Sequence, residues 1–148
     1  MHTDPIARFE EEHQEMRRAL DRLEVAAAAL EQGDAPASAL RTAGDVCSFL
    51  ATFVLQHYEN EERALFREIT EEAPVTPFLE EHRTLRRLET DLEAALNGPT
   101  PDRDVPPVAR ALVPLLREHI ERENEILFPM ARGILGPDGL VQAARRLR

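Results

Sequence analysis

The sequence has no lysine and only one cysteine, Cys47. A single thiol cannot build an internal disulfide framework or a cysteine-based zinc site, and the expectation is a soluble protein of a reducing, cytoplasmic compartment. Positive charge is scarce: 18 arginines stand against 28 acids, for a net charge of −10. Nucleic acids and anionic membranes need a cationic footprint, so neither is an expected partner. No run of about 18 apolar residues occurs, and the opening residues, Met1 to Pro5, show no apolar stretch ahead of a cleavage site. No segment alternates with period two, so no sheet is expected. What remains is 148 residues, 43% hydrophobic and 31% charged, enough for one domain around one core.

Glycine and proline cluster at a few breakpoints and leave long stretches between them. Asp4-Pro5 reads as a cap with proline at the first helical position. Gly33 to Pro36 reads as a turn, Ala73 to Pro77 opens another helix, and Asn97-Gly98-Pro99 closes it. Pro99 to Pro107 reads as a proline-rich linker, and Pro114 as a kink inside the helix that follows. Helices are therefore expected over about 5–32, 37–70, 77–97, 105–131 and 137–148. The fold class is all-α: an antiparallel up-down four-helix bundle with a short fifth helix, a single domain over residues 1–148.

Alternating steps of three and four mark the buried stripe of each helix. The first is Ile6, Phe9, His13, Met16, Leu20, Leu23, Ala27, Leu30. The second is Val46, Leu50, Phe53, His57, Glu61 and then Ala64 or Leu65. The third is Phe78, His82, Leu85, Leu88, Leu92, Leu96, and the fourth is Val108, Leu112, Leu115, His119, Glu123, Ile126, Met130. Each stripe holds one histidine, and two also hold a glutamate; only His2 stands apart. The chain also repeats itself. EEHQEMRRALDRLE at residues 11–24 matches EEHRTLRRLETDLE at 80–93 in seven places, and HYENEERALF at 57–66 matches HIERENEILF at 119–128 in five. The bundle is thus two similar hairpins, each with one lone histidine and one H-x-x-x-E. Distances along the first and third turns put the paired histidines level at 1.5 Å per residue. The second turn fits only if residues 71–77 climb back alongside the bundle.

One inward histidine is most often a hydrogen-bonded core residue, and one H-x-x-x-E on an exposed helix is a mild ion pair. The combination is different. If about a third of helix positions face the core, four of four histidines doing so is about a 1% coincidence. Two carboxylates among leucines and phenylalanines are costly unless paired with positive charge, and no arginine lies on a stripe. Neutral imidazole plus carboxylate is a transition-metal donor set. The candidate ligands are His13, His57, Glu61, His82, His119 and Glu123: two imidazoles per metal, with Glu61 and Glu123 bridging and an oxo or hydroxo group completing five ligands. Tyr58 is either an extra oxygen ligand or a packing residue at the bundle edge. Arg17 and Arg86 flank the stripe as rim ion pairs or as partners of the glutamates, and Cys47 reads as a small packing residue. A ferritin-like carboxylate bundle needs E-x-x-H on two helices; only Glu10–His13 matches.

The series His13, His57-x-x-x-Glu61, His82, His119-x-x-x-Glu123, with the Leu-Phe-Pro that follows the last motif, resembles the hemerythrin-like HHE cation-binding family over about residues 6–130. The resemblance implies a non-haem site of two iron ions with bridging carboxylates, and a small-molecule ligand such as dioxygen, hydrogen peroxide or nitric oxide. Oxygen-carrying hemerythrins have a fifth ligand histidine, as H-x-x-x-H on the third helix. Here the positions four before and four after His82 are Phe78 and Arg86, which argues against reversible oxygen carriage. Two functions remain open. One is binding or turnover of small oxygen and nitrogen species, with catalase-like peroxide disproportionation the preferred activity. The other is a non-catalytic oxygen- or iron-sensing, storage or iron-donating module. The walls expected around the metals are Phe9, Phe53, Leu85 and Ile126.

Overall fold

The computed structural model describes residues 4–148, and every regular element in them is helical. Helix α1 is Pro5–Gln32. Asp4 caps it, its Oδ1 accepting from the backbone N–H of Ile6 at 3.0 Å and of Ala7 at 3.4 Å, which satisfies donors the first turn leaves free. Gly33 ends it in the left-handed conformation at φ 69°, where a side chain would be strained. Helix α2 is Pro36–Ile69, continuous through two π-helical turns at Leu50–Val54 and Glu62–Phe66. Its length and apolar composition would also suit a membrane span; here it forms one wall of the bundle. Helix α3 is Thr76–Asn97. Helix α4 begins at Pro101, passes through a π turn at Glu123–Leu127 and runs on to residue 135. Gly136, at φ 66° and ψ 179°, breaks it, and α5 follows over residues 137–144.

The long helices pack in the cyclic order α1–α2–α3–α4–α1, with short connections between antiparallel neighbours. This is the expected four-helix bundle with its short fifth helix.

Three details differ from the sequence reading. Helix α4 starts four residues early, so Pro101, Pro106 and Pro107, expected in a linker, lie inside it. Pro101 takes the favoured first position, and Asp102 and Asp104 in the first turn suit the positive end of the helix dipole. Burial of Val105 and Ala109 then holds the turn despite the donors lost at Pro106 and Pro107. Helical geometry also continues through Pro114, which lies on the exposed face. Second, a π turn accommodates one extra residue and so moves the inward face on by one. Ile126 is accordingly 53% exposed while Leu127 is buried, and Phe53 is only half-buried while Val54 is buried. Third, Glu89 rather than Leu88 points inward on α3.

The connection after α2 does fold back. Ala73 and Val75 are buried against the lower core, which lets α3 restart closer to the level of its histidine than α2 ends beyond its own.

The interior falls into two apolar clusters. The upper one runs from the α1–α2 turn down to Met16, Val54, Tyr58, Leu85 and Ile120. The lower one begins at Phe9, Ala64, Phe78 and Leu127 and takes in α5 through Leu140 and Ala143. Between them, one polar layer crosses the bundle: His13, His57, Glu61, His82, His119 and Glu123, each no more than 1% exposed. His2 lies outside the described residues.

Candidate metal centre

Helical spacing turns His57 and Glu61, and likewise His119 and Glu123, to the same side of one helix, one turn apart. Their heads meet those of His13 and His82 in two overlapping groups. One is His13, His57, Glu61 and Glu123; the other is His82, His119, Glu61 and Glu123. Within each group all ligand atoms lie within 4.8 Å of one another. Both glutamates belong to both groups, and each divides its oxygens between them. Glu61 turns Oε2 to His57 Nε2 at 3.1 Å and Oε1 to His82 Nε2 at 3.2 Å. Glu123 turns Oε1 to His13 Nε2 at 3.1 Å and Oε2 to His119 Nε2 at 3.1 Å.

The other nitrogen of every imidazole points outward to a fixed partner. His57 Nδ1 lies 2.7 Å from Glu12 Oε1, His82 Nδ1 2.8 Å from Glu62 Oε2, and His119 Nδ1 2.7 Å from Glu81 Oε1. His13 Nδ1 lies 2.8 Å from Asn124 Oδ1. These oxygens accept, so each Nδ1 carries the proton. The partners close a ring around the bundle: α1 holds the histidine of α2, α2 that of α3, α3 that of α4, and α4 that of α1. Arg8 donates to Glu12 at 3.0 Å and Arg122 to Glu81, anchoring two of the carboxylates in turn. Histidine ligands elsewhere are oriented in this way by the hydrogen bond at the far nitrogen.

With Nδ1 protonated, a neutral imidazole presents a bare lone pair at Nε2. Here four such lone pairs face two carboxylates, and His82 Nε2 lies only 3.1 Å from His119 Nε2. His57 Nε2, both oxygens of Glu61 and Oε2 of Glu123 have no hydrogen-bond partner. Among the described residues the ion-pair partners of these two glutamates are all imidazoles. Donor atoms crowded lone pair against lone pair need a cation among them, and this donor set fits two transition-metal ions.

The titration behaviour expresses the same demand. Burial alone would lower His13, but the adjoining carboxylates of Glu123 and Glu61 raise it to about 10, so where no metal ion is bound a proton takes the cation's place at Nε2. Burial alone would raise Glu123, yet the charge of His119 and the imidazoles of His13 and His82 beside it hold it well below the usual carboxylate range.

Each imidazole also meets a phenylalanine. Phe128 stacks on His13 at 5.4 Å and Phe66 on His82 at 5.5 Å, while Phe9 stands edge-on to His57 at 5.5 Å and Phe78 to His119 at 6.3 Å. The expected walls are corrected accordingly. Phe9 lines the centre and Leu85 is buried just above it, but Phe53 stacks on Phe49 in the upper cluster and Ile126 faces solvent.

Tyr58 is fully buried, so it is not at the bundle edge, and its hydroxyl is engaged elsewhere than the metal positions. It donates to Glu89 Oε2 at 3.0 Å, and its ring stacks on His82 at 4.4 Å. Arg86 forms an exposed pair with Glu59 at 3.7 Å, as a rim residue. Cys47 is buried within the upper cluster.

Sequence reasoning missed Glu12, Glu62, Glu81 and Asn124, although each directly adjoins a centre residue in the chain. The shared EEH of the two hairpins was the available signal for Glu12 and Glu81. Glu89 left no such signal.

The family model of the hemerythrin HHE cation binding domain matches residues 4–131, from the cap of α1 to just beyond the third π turn. No curated protein and no solved structure matches the chain. With the match spanning the whole four-helix bundle and its polar layer, the chain belongs to the hemerythrin HHE cation-binding family.

Proposed function

We propose that the chain holds two iron ions and binds or turns over small oxygen and nitrogen species, with disproportionation of hydrogen peroxide its preferred activity. The reading rests above all on the way Glu61 and Glu123 each turn one oxygen to either histidine pair. Carboxylates so placed could each be shared by two adjacent ions, and Tyr58, tied to Glu89, would stay out of the ligand set. Two neighbouring irons supply a two-electron redox couple, which suits conversion of two peroxide molecules to two waters and one dioxygen.

The chain supplies the rest. Four protein donors to each ion, two imidazoles and the two shared carboxylates, would leave room for a small ligand. Three outward carboxylates and the Asn124 amide fix the four histidine tautomers so that Nε2 faces inward. Phe9, Phe66, Phe78 and Phe128 cover the polar layer on its lower side, and Met16, Val54, Tyr58, Leu85 and Ile120 cover it above, which keeps bulk water and large molecules out. Phe78 and Arg86, four residues to either side of His82, supply no further histidine of the kind oxygen carriers have on this helix, so neither ion gains an added imidazole and autoxidation should defeat stable oxygen carriage.

The test is oxygen release from hydrogen peroxide by iron-loaded protein, with metal-free protein and Glu123→Ala as controls. Release well above that of free iron at equal concentration, and lost in both controls, supports the enzyme. Release no faster than free iron removes it and leaves a sensing, storage or iron-donating module. A long-lived dioxygen adduct, reversible under argon, would restore the carrier.

A further inference from the structure

The two hairpins are related residue by residue around the centre. Glu12 corresponds to Glu81, His13 to His82, His57 to His119, Glu61 to Glu123, Phe66 to Phe128, and Phe9 to Phe78. The match fails at two positions that touch the polar layer, and both failures fall on the same pair of histidines. Glu62 corresponds to Asn124, and Tyr58 to Ile120.

His82 therefore donates Nδ1–H to a carboxylate at 2.8 Å, and its ring is stacked by Tyr58 at 4.4 Å and by Phe66 at 5.5 Å. Glu89 fixes the Tyr58 ring by accepting from its hydroxyl. His13 donates to a neutral amide oxygen at the same distance and is stacked by Phe128, with the aliphatic Ile120 at the position that answers to Tyr58. The His82–His119 half is faced by two outer carboxylates, Glu62 and Glu81, whereas the His13–His57 half is faced by one, Glu12, and an amide.

We propose that the two metal positions differ in affinity: the His82–His119 position fills first and holds its ion more tightly, and the His13–His57 position is the exchangeable one, with Asn124 and Tyr58 as the residues that set the difference. This rests on the dinuclear reading above. A carboxylate acceptor at Nδ1 makes an imidazole a stronger donor and adds one negative charge near the cation, whereas an amide does neither. Changes to such partners typically alter metal affinity about 10- to 100-fold, which sets the expected gap. The stacking of His82 acts in the same direction, because a ring already held in place loses less freedom on binding.

Shared carboxylates would separate two binding steps even in a symmetric centre, so the decisive readout is which histidines respond first. Metal-free protein with 15N-labelled histidine is titrated with Zn(II), and the four Nε2 resonances are followed by NMR. The first equivalent should shift His82 and His119 and leave His13 and His57 unchanged; the second should shift those. Asn124→Asp, which restores a carboxylate opposite His13 at nearly constant volume, should spread the first equivalent over both pairs. Glu62→Gln should do so from the other side, by lowering the tighter position about 10-fold or more. Parallel shifts of all four histidines in the parent protein, or His13 and His57 moving first, would overturn the proposal. So would an unchanged filling order in Asn124→Asp. Binding of fewer than two zinc ions in total would instead count against the dinuclear centre itself.

Discussion

Glu89→Gln should stabilise the folded protein by about 3 kcal/mol at pH 8 and by under about 1 kcal/mol near pH 5. Glu89 is a buried carboxyl beneath a surface groove lined by Cys47, Leu50, Arg86 and Thr90, and it accepts from the Tyr58 hydroxyl. Burial pushes its pKa from 4.5 up to about 7, with the Tyr58 hydrogen bond and Arg86 opposing the rise. A carboxyl whose folded pKa lies above its unfolded one binds its proton more tightly in the native state. Stability is therefore greatest below the unfolded value, falls as pH rises from 4.5 to about 7, and is flat beyond. The full difference between those two values corresponds to about 3 kcal/mol. Glutamine keeps an oxygen for Tyr58 and never ionises, so the variant should lack this slope. Urea denaturation of metal-loaded protein and variant at matched pH values between about 5 and 8.5 gives the difference directly, since contributions of other groups cancel. Two curves parallel over the whole range would show that Glu89 is not held in a desolvating environment.

Other perturbations should be equally selective. His119→Ala should lose metal and stability together, because binding and folding are coupled and the loss strands Glu123 as a buried charge; His2→Ala should change neither, and metal analysis with thermal melts separates the two. Phe128→Ala removes a ring that is 1% exposed and stacks on both His13 and Phe9, so a loss of about 3–5 kcal/mol is expected by denaturant titration.

The polar layer was legible because its residues break a pattern. A histidine or glutamate on a stripe of leucines conflicts with the cost of burial, and the repeat of that conflict in both hairpins removed coincidence. Residues that orient the histidines break no pattern. Glu12, Glu62 and Glu81 sit among many surface glutamates, and their partners are on the neighbouring helix, so only assembly of the bundle reveals them.

The π turns were unreadable for a related reason. Periodicity arguments assume 3.6 residues per turn, and an inserted residue after Glu61 and Glu123 rotates everything beyond it. That is how Ile126 was placed inside and Leu127 overlooked. The start of α4 failed through proline: local propensity argued for a linker, and burial of Val105 and Ala109 outweighed it. Glu89 follows from the same limit, since steps of three and four from Leu85 reach Leu88 and Glu89 alike. The buried hydroxyl of Tyr58, which needs an acceptor, decided between them.

The central claim is a dinuclear centre bridged by Glu61 and Glu123. It is tested most directly by loading metal-free protein with Fe(II) in air, removing loose metal, and measuring iron per chain together with the Mössbauer spectrum in an applied field. The account predicts about two irons per chain and a spin-coupled, diamagnetic ferric pair. One iron or fewer per chain, or two irons with the magnetic splitting of isolated ferric ions, would contradict it.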